Sequence, residues 1–188
     1  MRYNNNNNDS VSRRRGVLSF VTGKLWQYPY DKEAFPKSER ALRKKRKRPQ
    51  EPPNIIAEEM EYNLSESEWT LFFIGEITNL NSIRFRSILV DFCQSHRDKV
   101  QCILIANIEE RLACATGFSV LPWDHPNRSS LLSVLGITQV PMVIVVSNSD
   151  GRRITEHGMA VIENYSNETI IMLMLLSYLK VGEGMSLG

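Results

Sequence analysis

The sequence predicts a mixed α/β fold in which one β-sheet carries helices on both faces. Short apolar runs of aromatic and β-branched residues, typical of strands buried on both faces, recur over residues 69–75, 100–107 and 140–147. Segments in which apolar residues recur at helical spacing lie between these runs. The last run ends at a turn, and the strand after it is expected to return antiparallel. The order of elements therefore begins βαβ and ends ββα.

The connecting helices each carry a start or stop signal. Residues 82–96 predict a first helix, because apolar side chains recur every three or four positions and Ser82 is a residue type that caps helices. Residues 108–116 predict a second helix that ends before a glycine. Residues 129–136 predict a short third helix, with Gly136 placed to adopt the left-handed conformation at its end.

The C-terminal part supplies one more strand and one more helix. Residues 149–151 have a typical turn composition, and residues 152–158 predict a strand antiparallel to the one before it. Ser166 or Asn167 is expected to cap a last helix that runs to Lys180. Because the apolar face of this helix is broad, we expect it to be buried against the sheet.

The N-terminal third differs in charge from the rest of the chain. Residues 1–60 hold 14 Lys and Arg against 7 Asp and Glu, whereas the other 128 residues hold 9 against 14. Such a segment buries too little apolar surface to offset the entropy lost on ordering. We expect residues 1–60 to form a basic, largely disordered extension, residues 61–182 the domain, and residues 183–188 a flexible tail. One aromatic stretch, residues 17–30, is either a docking segment on the domain or a partner, or a set of isolated aromatic residues.

Composition also excludes several classes of protein. The longest apolar run, residues 170–176, is seven residues long, far below the roughly 20 that a transmembrane helix needs. Cys93, Cys102 and Cys114 stand 9 and 12 residues apart, so they supply neither a disulfide framework nor the paired C-x-x-C of a zinc knuckle. This spacing favours a reducing compartment. The first residues exclude a secretory signal peptide but leave a Ser/Arg-containing organelle presequence open.

A series of short motifs runs from residue 118 to residue 151. In order, they are a Leu-Pro-aromatic element, a short helix, a Gly-Ile step, a Val-Pro pair and an apolar strand that ends in Asp-Gly. They occupy Leu121-Pro122-Trp123, residues 131–135, Gly136-Ile137, Val140-Pro141 and Asp150-Gly151. These motifs resemble the tryparedoxin and nucleoredoxin branch of the thioredoxin fold, and residues 89–96 resemble the helix after its active site. The resemblance covers residues 69–158 and implies a thioredoxin-like mixed sheet flanked by helices.

The resemblance implies an active site where the first strand leads into the first helix, and there this sequence departs from the family. Members carry W-C-P-P-C or W-C-x-x-C, which places a nucleophilic thiolate at a helix N-terminus. The aligned motif falls on Thr78, Asn79, Leu80, Asn81 and Ser82. Asn79 takes the place of the attacking cysteine and Ser82 that of the resolving one. Neither an amide nor a hydroxyl carries out thiol–disulfide exchange, so no catalytic residue is expected.

The Val-Pro pair implies a site for partner binding. In thioredoxin folds this proline is cis and stands beside the motif, and the residue before it offers its backbone groups to an extended peptide. The resemblance thus implies a peptide-docking groove at Val140 and Pro141, rimmed by the neutral loop of residues 78–82. The alternative is that the proline only sets the geometry of the strand that follows.

The other cysteines and the histidines give weaker signals. Cys93 and Cys102 lie in apolar patterns typical of small buried hydrophobes. Cys114 follows Arg111, a neighbour that favours the thiolate, but it has no partner thiol at C-x-x-C spacing. The histidines stand singly, without a cysteine or carboxylate at ligand spacing, so neither a metal nor a cofactor is expected. They are His96, His125 and His157.

A basic run of six successive cations lies within the N-terminal extension. Its members are Arg43, Lys44, Lys45, Arg46, Lys47 and Arg48. The run resembles a monopartite nuclear localisation signal, which an import receptor reads. It also suits the phosphates of RNA or DNA or anionic lipid head groups, and a solvated charge run without a partner is the last alternative. We expect the nucleus or the cytoplasm, with the mitochondrion as the alternative.

These features favour a redox-inactive, nucleoredoxin-like binding or scaffold protein. It would dock protein partners at Val140 and Pro141 and an acidic partner with its basic run. One alternative is a nucleoredoxin-like thiol oxidoreductase that uses Cys114 alone. Another is a structural subunit of a ribonucleoprotein or mitochondrial assembly.

Overall fold

The structure is a computed structural model that describes residues 16–21, 24–31, 58–61, 67–76, 78–106, 116–122 and 124–165. It begins with a 3₁₀ helix, Gly16–Phe20. The strands are β1 (Lys24–Gln27), β2 (Glu58–Glu61), β3 (Trp69–Gly75), β4 (Val100–Ala106), β5 (Ser119–Val120), β6 (Met142–Ser147) and β7 (Arg153–Thr155). The α-helices are α1 (Leu80–Ser95), α2 (Arg128–Leu135) and α3 (Gly158–Tyr165).

The strands form one mixed sheet in the order β2-β1-β5-β4-β3-β6-β7. Strand β3 pairs in parallel with β4 on one side and antiparallel with β6 on the other. All residues of β3 are buried, as expected for an apolar strand that is covered on both faces. The sheet and its βαβ…ββα order confirm the fold class that the sequence predicts.

Two apolar layers cover the sheet. On one face, α1 and α3 pack through side chains that include Phe85, Leu89 and Ile162. On the other face, the 3₁₀ helix and α2 pack through Leu18 and Leu131. Successive residues of a strand point to opposite layers, so the inner strands are apolar at nearly every position.

The first helix starts earlier than predicted. Asn79 is the N-cap of α1, with an extended backbone (φ −90°, ψ 113°) and a side chain that accepts hydrogen bonds from the N–H groups of Asn81 and Ser82. Ser82, a residue type that also caps helices, is instead buried within the first turn. The prediction of a cap at Ser82 is therefore wrong.

Several other predictions have a clear outcome. Helix α2 ends at Gly136 in the left-handed conformation (φ 63°), and β7 returns antiparallel to β6, as predicted. The predicted helices over residues 108–116 and 166–180 lie outside the described residues, with one exception. Thr116 is described, and it forms a bridge with Tyr30 instead of a helical turn.

Helix α3 is an element that the sequence did not predict. Residues 152–158 were expected to be a strand, but β7 ends at Thr155 and Gly158 begins α3. A Cβ atom at Gly158 would lie 2.7 Å from Cγ1 of Val143 and 2.8 Å from its carbonyl oxygen. Glycine is therefore required here because the start of α3 lies directly against β6.

The aromatic stretch of residues 17–30 lies on the domain, one of the alternatives left open above. Val17 and Leu18 are buried, and the N–H of Val17 donates to the carbonyl of Gly151 (3.1 Å). Strand β1 then pairs antiparallel with both β5 and β2. The sheet thus includes residues that the sequence analysis assigned to the extension. The basic run, residues 43–48, lies outside the described residues, in the connection between β1 and β2.

Candidate functional site

The resemblance implies an active site at residues 78–82, and this segment joins β3 to α1. Because β3 and β6 are antiparallel neighbours, the end of β3 lies beside the start of β6, with Ile74 paired to Met142. The sheet therefore brings residues 78–82, which form the end of the loop and the first residues of α1, next to Val140 and Pro141. We call this set of residues the loop–proline site.

Asn79 connects the two parts of the loop–proline site. Its Oδ1 accepts hydrogen bonds from the N–H groups of Asn81 (2.9 Å) and Ser82 (3.3 Å), which caps α1. Its Nδ2 donates to the carbonyl oxygen of Val140 (3.2 Å). One amide thus satisfies two free donors of the helix and an acceptor beside the proline. The sequence motif indicates this position but not its role, although asparagine is among the strongest N-cap residues.

Ser82 holds the same loop from its inner side. Its side chain is buried, and its Oγ accepts a hydrogen bond from the N–H of Glu76 (3.2 Å). The N–H of Asn79 in turn donates to the carbonyl of Glu76 (3.1 Å). Both side chains at the aligned cysteine positions therefore take part in folding the loop.

The exposed residues of the loop–proline site are of two kinds, the polar Thr78 and Asn81 and the apolar Leu80. Leu80 is 75% exposed, and Ile83, nearly one turn further along α1, is also exposed. Val140 and Pro141 are half-buried, and the peptide bond between them is cis. The N–H of Val140 has no hydrogen-bond partner among the residues that the structure describes. The site therefore combines an exposed leucine with a backbone donor that is unused among the described residues.

The described thiols lie in the core, away from the loop–proline residues. Cys93 on α1 and Cys102 on β4 are both buried in the apolar layer under α1. Burial raises the pKa of the Cys102 thiol well above its usual value, and the neighbouring Cys93 raises it further. Cys102 therefore stays protonated at neutral pH and is a poor nucleophile. Cys114 lies outside the described residues.

The histidines are distributed over separate parts of the fold. His96 packs its ring on Phe92, with the ring centroids 4.8 Å apart. His125 is buried, and its Nδ1 accepts a hydrogen bond from the N–H of Asn127 (3.2 Å). His157 is exposed. Within the described ranges, no three metal-binding side chains form a group, and no helix is long and apolar enough to cross a membrane.

This chain has a thioredoxin-like fold, and solved structures share it. A thioredoxin from Wuchereria bancrofti matches with a TM-score of 0.53 at 16% identity, over 64% of this chain and 90% of its own. Tryparedoxin II from C. fasciculata gives 0.50 at 17% identity, over 56% and 74%. Tryparedoxin I from Leishmania major gives 0.50 at 16%, over 60% and 82%. At these identities the likeness establishes the fold alone. No protein-family model and no curated protein matches the chain.

Proposed function

We propose that this protein is a redox-inactive, nucleoredoxin-like binding protein that docks partner proteins at the loop–proline site. The observation that carries the proposal is the use made of Asn79 and Ser82. The resemblance implies that both take the places of the family's thiols, and both are engaged in hydrogen bonds that fold the loop. Because an amide and a hydroxyl do not form a disulfide, these two residues support a site that binds without thiol–disulfide exchange.

The surface of the loop–proline site supports docking. Leu80 is the most exposed large apolar side chain of the described residues, at 75%. A single exposed leucine is ordinary, but this one follows Asn79, whose side chain reaches the carbonyl of Val140, and Ile83 is exposed on the same helix. This combination suits an extended segment that places an apolar side chain against Leu80 and a backbone carbonyl on the Val140 N–H.

Peptide selection tests this docking. A display library of random short peptides is selected on the full-length protein, and the affinity of each selected peptide is measured by fluorescence polarisation. We expect binding to be lost in Leu80→Lys and kept in Ile88→Lys. Ile88 is the matched control, because it is an exposed aliphatic residue on the same helix. Peptides that bind both variants equally well would contradict docking at this site.

The redox half of the proposal has its own test. The full-length protein is given insulin as the disulfide substrate, with a thioredoxin-type electron donor. We expect no turnover above that of the donor alone, both in the wild-type protein and in Cys114→Ser. Turnover that is present in the wild-type protein and absent in Cys114→Ser would instead support the single-cysteine oxidoreductase.

The basic run adds a second binding element to the proposal. Residues 43–48 lie in the connection between β1 and β2, two strands that pair with each other. We propose that the run binds an acidic partner, a nuclear import receptor first of all, and that the protein acts in the nucleus. The excess of 14 cations over 7 anions in residues 1–60 supports this electrostatic mode of binding.

Alanine replacement of residues 44–47 in the full-length protein tests the basic run. Deletion of residues 1–60 is a poor test, because it also removes the buried Val17 and Leu18. We expect nuclear accumulation to be lost while the melting temperature stays unchanged. Nuclear accumulation that persists would contradict the proposal. Nuclease-sensitive co-purification would favour the ribonucleoprotein alternative, and mitochondrial import with cleavage of the N-terminus would favour a presequence.

A further inference from the structure

We infer that Asn79 is a positioning residue for partner binding at the loop–proline site, an inference that rests on the function proposed above. Its side chain joins the N-terminus of α1 to the carbonyl of Val140. The helix that carries Leu80 and the turn that carries the Val140 N–H therefore keep one fixed relation to each other. A partner that contacts both meets a preorganised surface, which lowers the entropic cost of binding.

The geometry of the amide explains why a single side chain is enough to hold the start of α1 against Val140. An asparagine amide is planar, so the direction of its N–H bonds follows from the position of its oxygen. The oxygen of Asn79 is held by two donors, the N–H groups of Asn81 and Ser82. The Nδ2 donor is thereby aimed at Val140, 61 positions further along the chain. The same amide therefore caps the helix and, through its hydrogen bond to the Val140 carbonyl, which we call the tie, links the two segments.

The tie takes up one of the two acceptor positions of the Val140 carbonyl. The carbonyl already accepts from Asn79, whereas the N–H has no partner among the described residues. Among the described residues, an incoming segment therefore meets an unused N–H beside a carbonyl that already accepts one hydrogen bond. The partner that fits is an extended segment that offers a carbonyl to Val140 and an apolar side chain to Leu80, without needing an N–H bond at that point.

Three substitutions of Asn79 separate the cap from the tie. Asn79→Asp and Asn79→Ser both keep an oxygen that caps a helix. Neither can donate to Val140, because an ionised carboxylate has no proton and a serine hydroxyl is too short to reach. Asn79→Ala loses both the cap and the tie. If Asn79 has a purely structural role, peptide binding should weaken only when the cap is lost. If it is a positioning residue, peptide binding should weaken whenever the tie is lost.

The probe is the set of peptides selected on the wild-type protein that depend on Leu80. We expect Asn79→Asp and Asn79→Ser to weaken their binding roughly three- to tenfold, the effect of one hydrogen bond, while the melting temperature stays close to that of the wild type. Asn79→Ala should weaken binding to the same degree and lower the melting temperature as well. Weaker binding in the alanine variant alone, or unchanged binding in all three, would overturn the inference.

A second measurement separates this inference from the proposed function. The ¹³C chemical shift of the Val140 carbonyl in the full-length protein reports its hydrogen bond, and it should move in all three Asn79 variants. An unmoved shift would show that the tie is absent in solution and would overturn the inference alone. A shift that moves, with no selected peptide that depends on Leu80, would mean that the proposed function fails and that the inference fails with it.

Discussion

Two asparagines, Asn148 and Asn79, hold the opposite ends of the β3–β6 pair, and their surroundings differ. Asn148 follows β6 directly. Its Oδ1 accepts a hydrogen bond from the hydroxyl of Thr70 (2.7 Å), and its Nδ2 donates to the carbonyl (2.9 Å) and the hydroxyl (2.8 Å) of Ser67. The Nε2 of Gln101 donates to the Thr70 hydroxyl (2.9 Å), which extends the network to β4. All these contacts link β3, β4 and the residues just before β3 and just after β6 to one another.

The contrast shows how one chemical device serves two purposes. Around Asn148 the network includes the fully buried Thr70, and no large apolar side chain nearby is exposed among the described residues. Around Asn79 the tie lies beside the exposed Leu80. We therefore assign the Asn148 network to stability. The tie of Asn79 to Val140 contributes less to stability and more to the shape of a surface.

The largest expected effect on stability is at the Asn148 end. Asn148→Ala removes three side-chain hydrogen bonds and should lower the free energy of unfolding by about 2 to 4 kcal/mol. Urea denaturation measures this change. Asn164→Ala is the control, because Asn164 is an exposed amide on α3, and it should have almost no effect. Loss of peptide binding in folded Asn148→Ala would contradict the separation between the two ends.

A smaller loss of stability is expected at the other end. Asn79→Ala should lower the free energy of unfolding by about 1 to 2 kcal/mol, because it removes a helix cap and one further hydrogen bond at a half-buried position that water reaches. The matched control is Asn81→Ala, since Asn81 is an exposed amide in the same turn and, among the described residues, only its backbone N–H is bonded. If the two variants lose equal stability, the cap is not at Asn79.

The sequence was sufficient for the centre of the fold, for a physical reason. Strand β3 and the strand over residues 142–147 are apolar at consecutive positions, and only burial on both faces makes that pattern favourable. Gly136 was correctly placed because a glycine at a helix end has a strong local preference for the left-handed conformation. These signals are local, so they can be read without the tertiary structure.

The missed features depend on contacts between distant parts of the chain. Whether Asn79 or Ser82 caps α1 depends on where Val140 lies, since the Val140 carbonyl accepts a hydrogen bond from the Nδ2 of Asn79. The start of α3 at Gly158 depends on close approach to β6. Strand β1 is only four residues long and is defined by its pairing with β5 and β2, which the basic composition around it obscures.

Of the substitutions at the hydrogen-bonded side chains, Ser82→Ala is expected to have the smallest effect on stability. It compares the contribution of Ser82 with that of Asn79 within the loop–proline site. Ser82→Ala removes the acceptor of the Glu76 N–H, which should cost about 1 kcal/mol, while alanine in the first turn of the helix returns roughly 0.5 kcal/mol. The net loss by urea denaturation should therefore be about 0.5 kcal/mol.

The control for this last change is Ser87→Ala, which lies on the exposed side of the same helix and measures the gain in helix propensity alone. The difference between the two variants isolates the hydrogen bond to Glu76. Because the tie from Asn79 to Val140 is intact in Ser82→Ala, peptides that depend on Leu80 should bind this variant as they bind the wild type. A clear loss of affinity would show that the inner bond of Ser82, and not the tie of Asn79, sets the geometry of the docking surface.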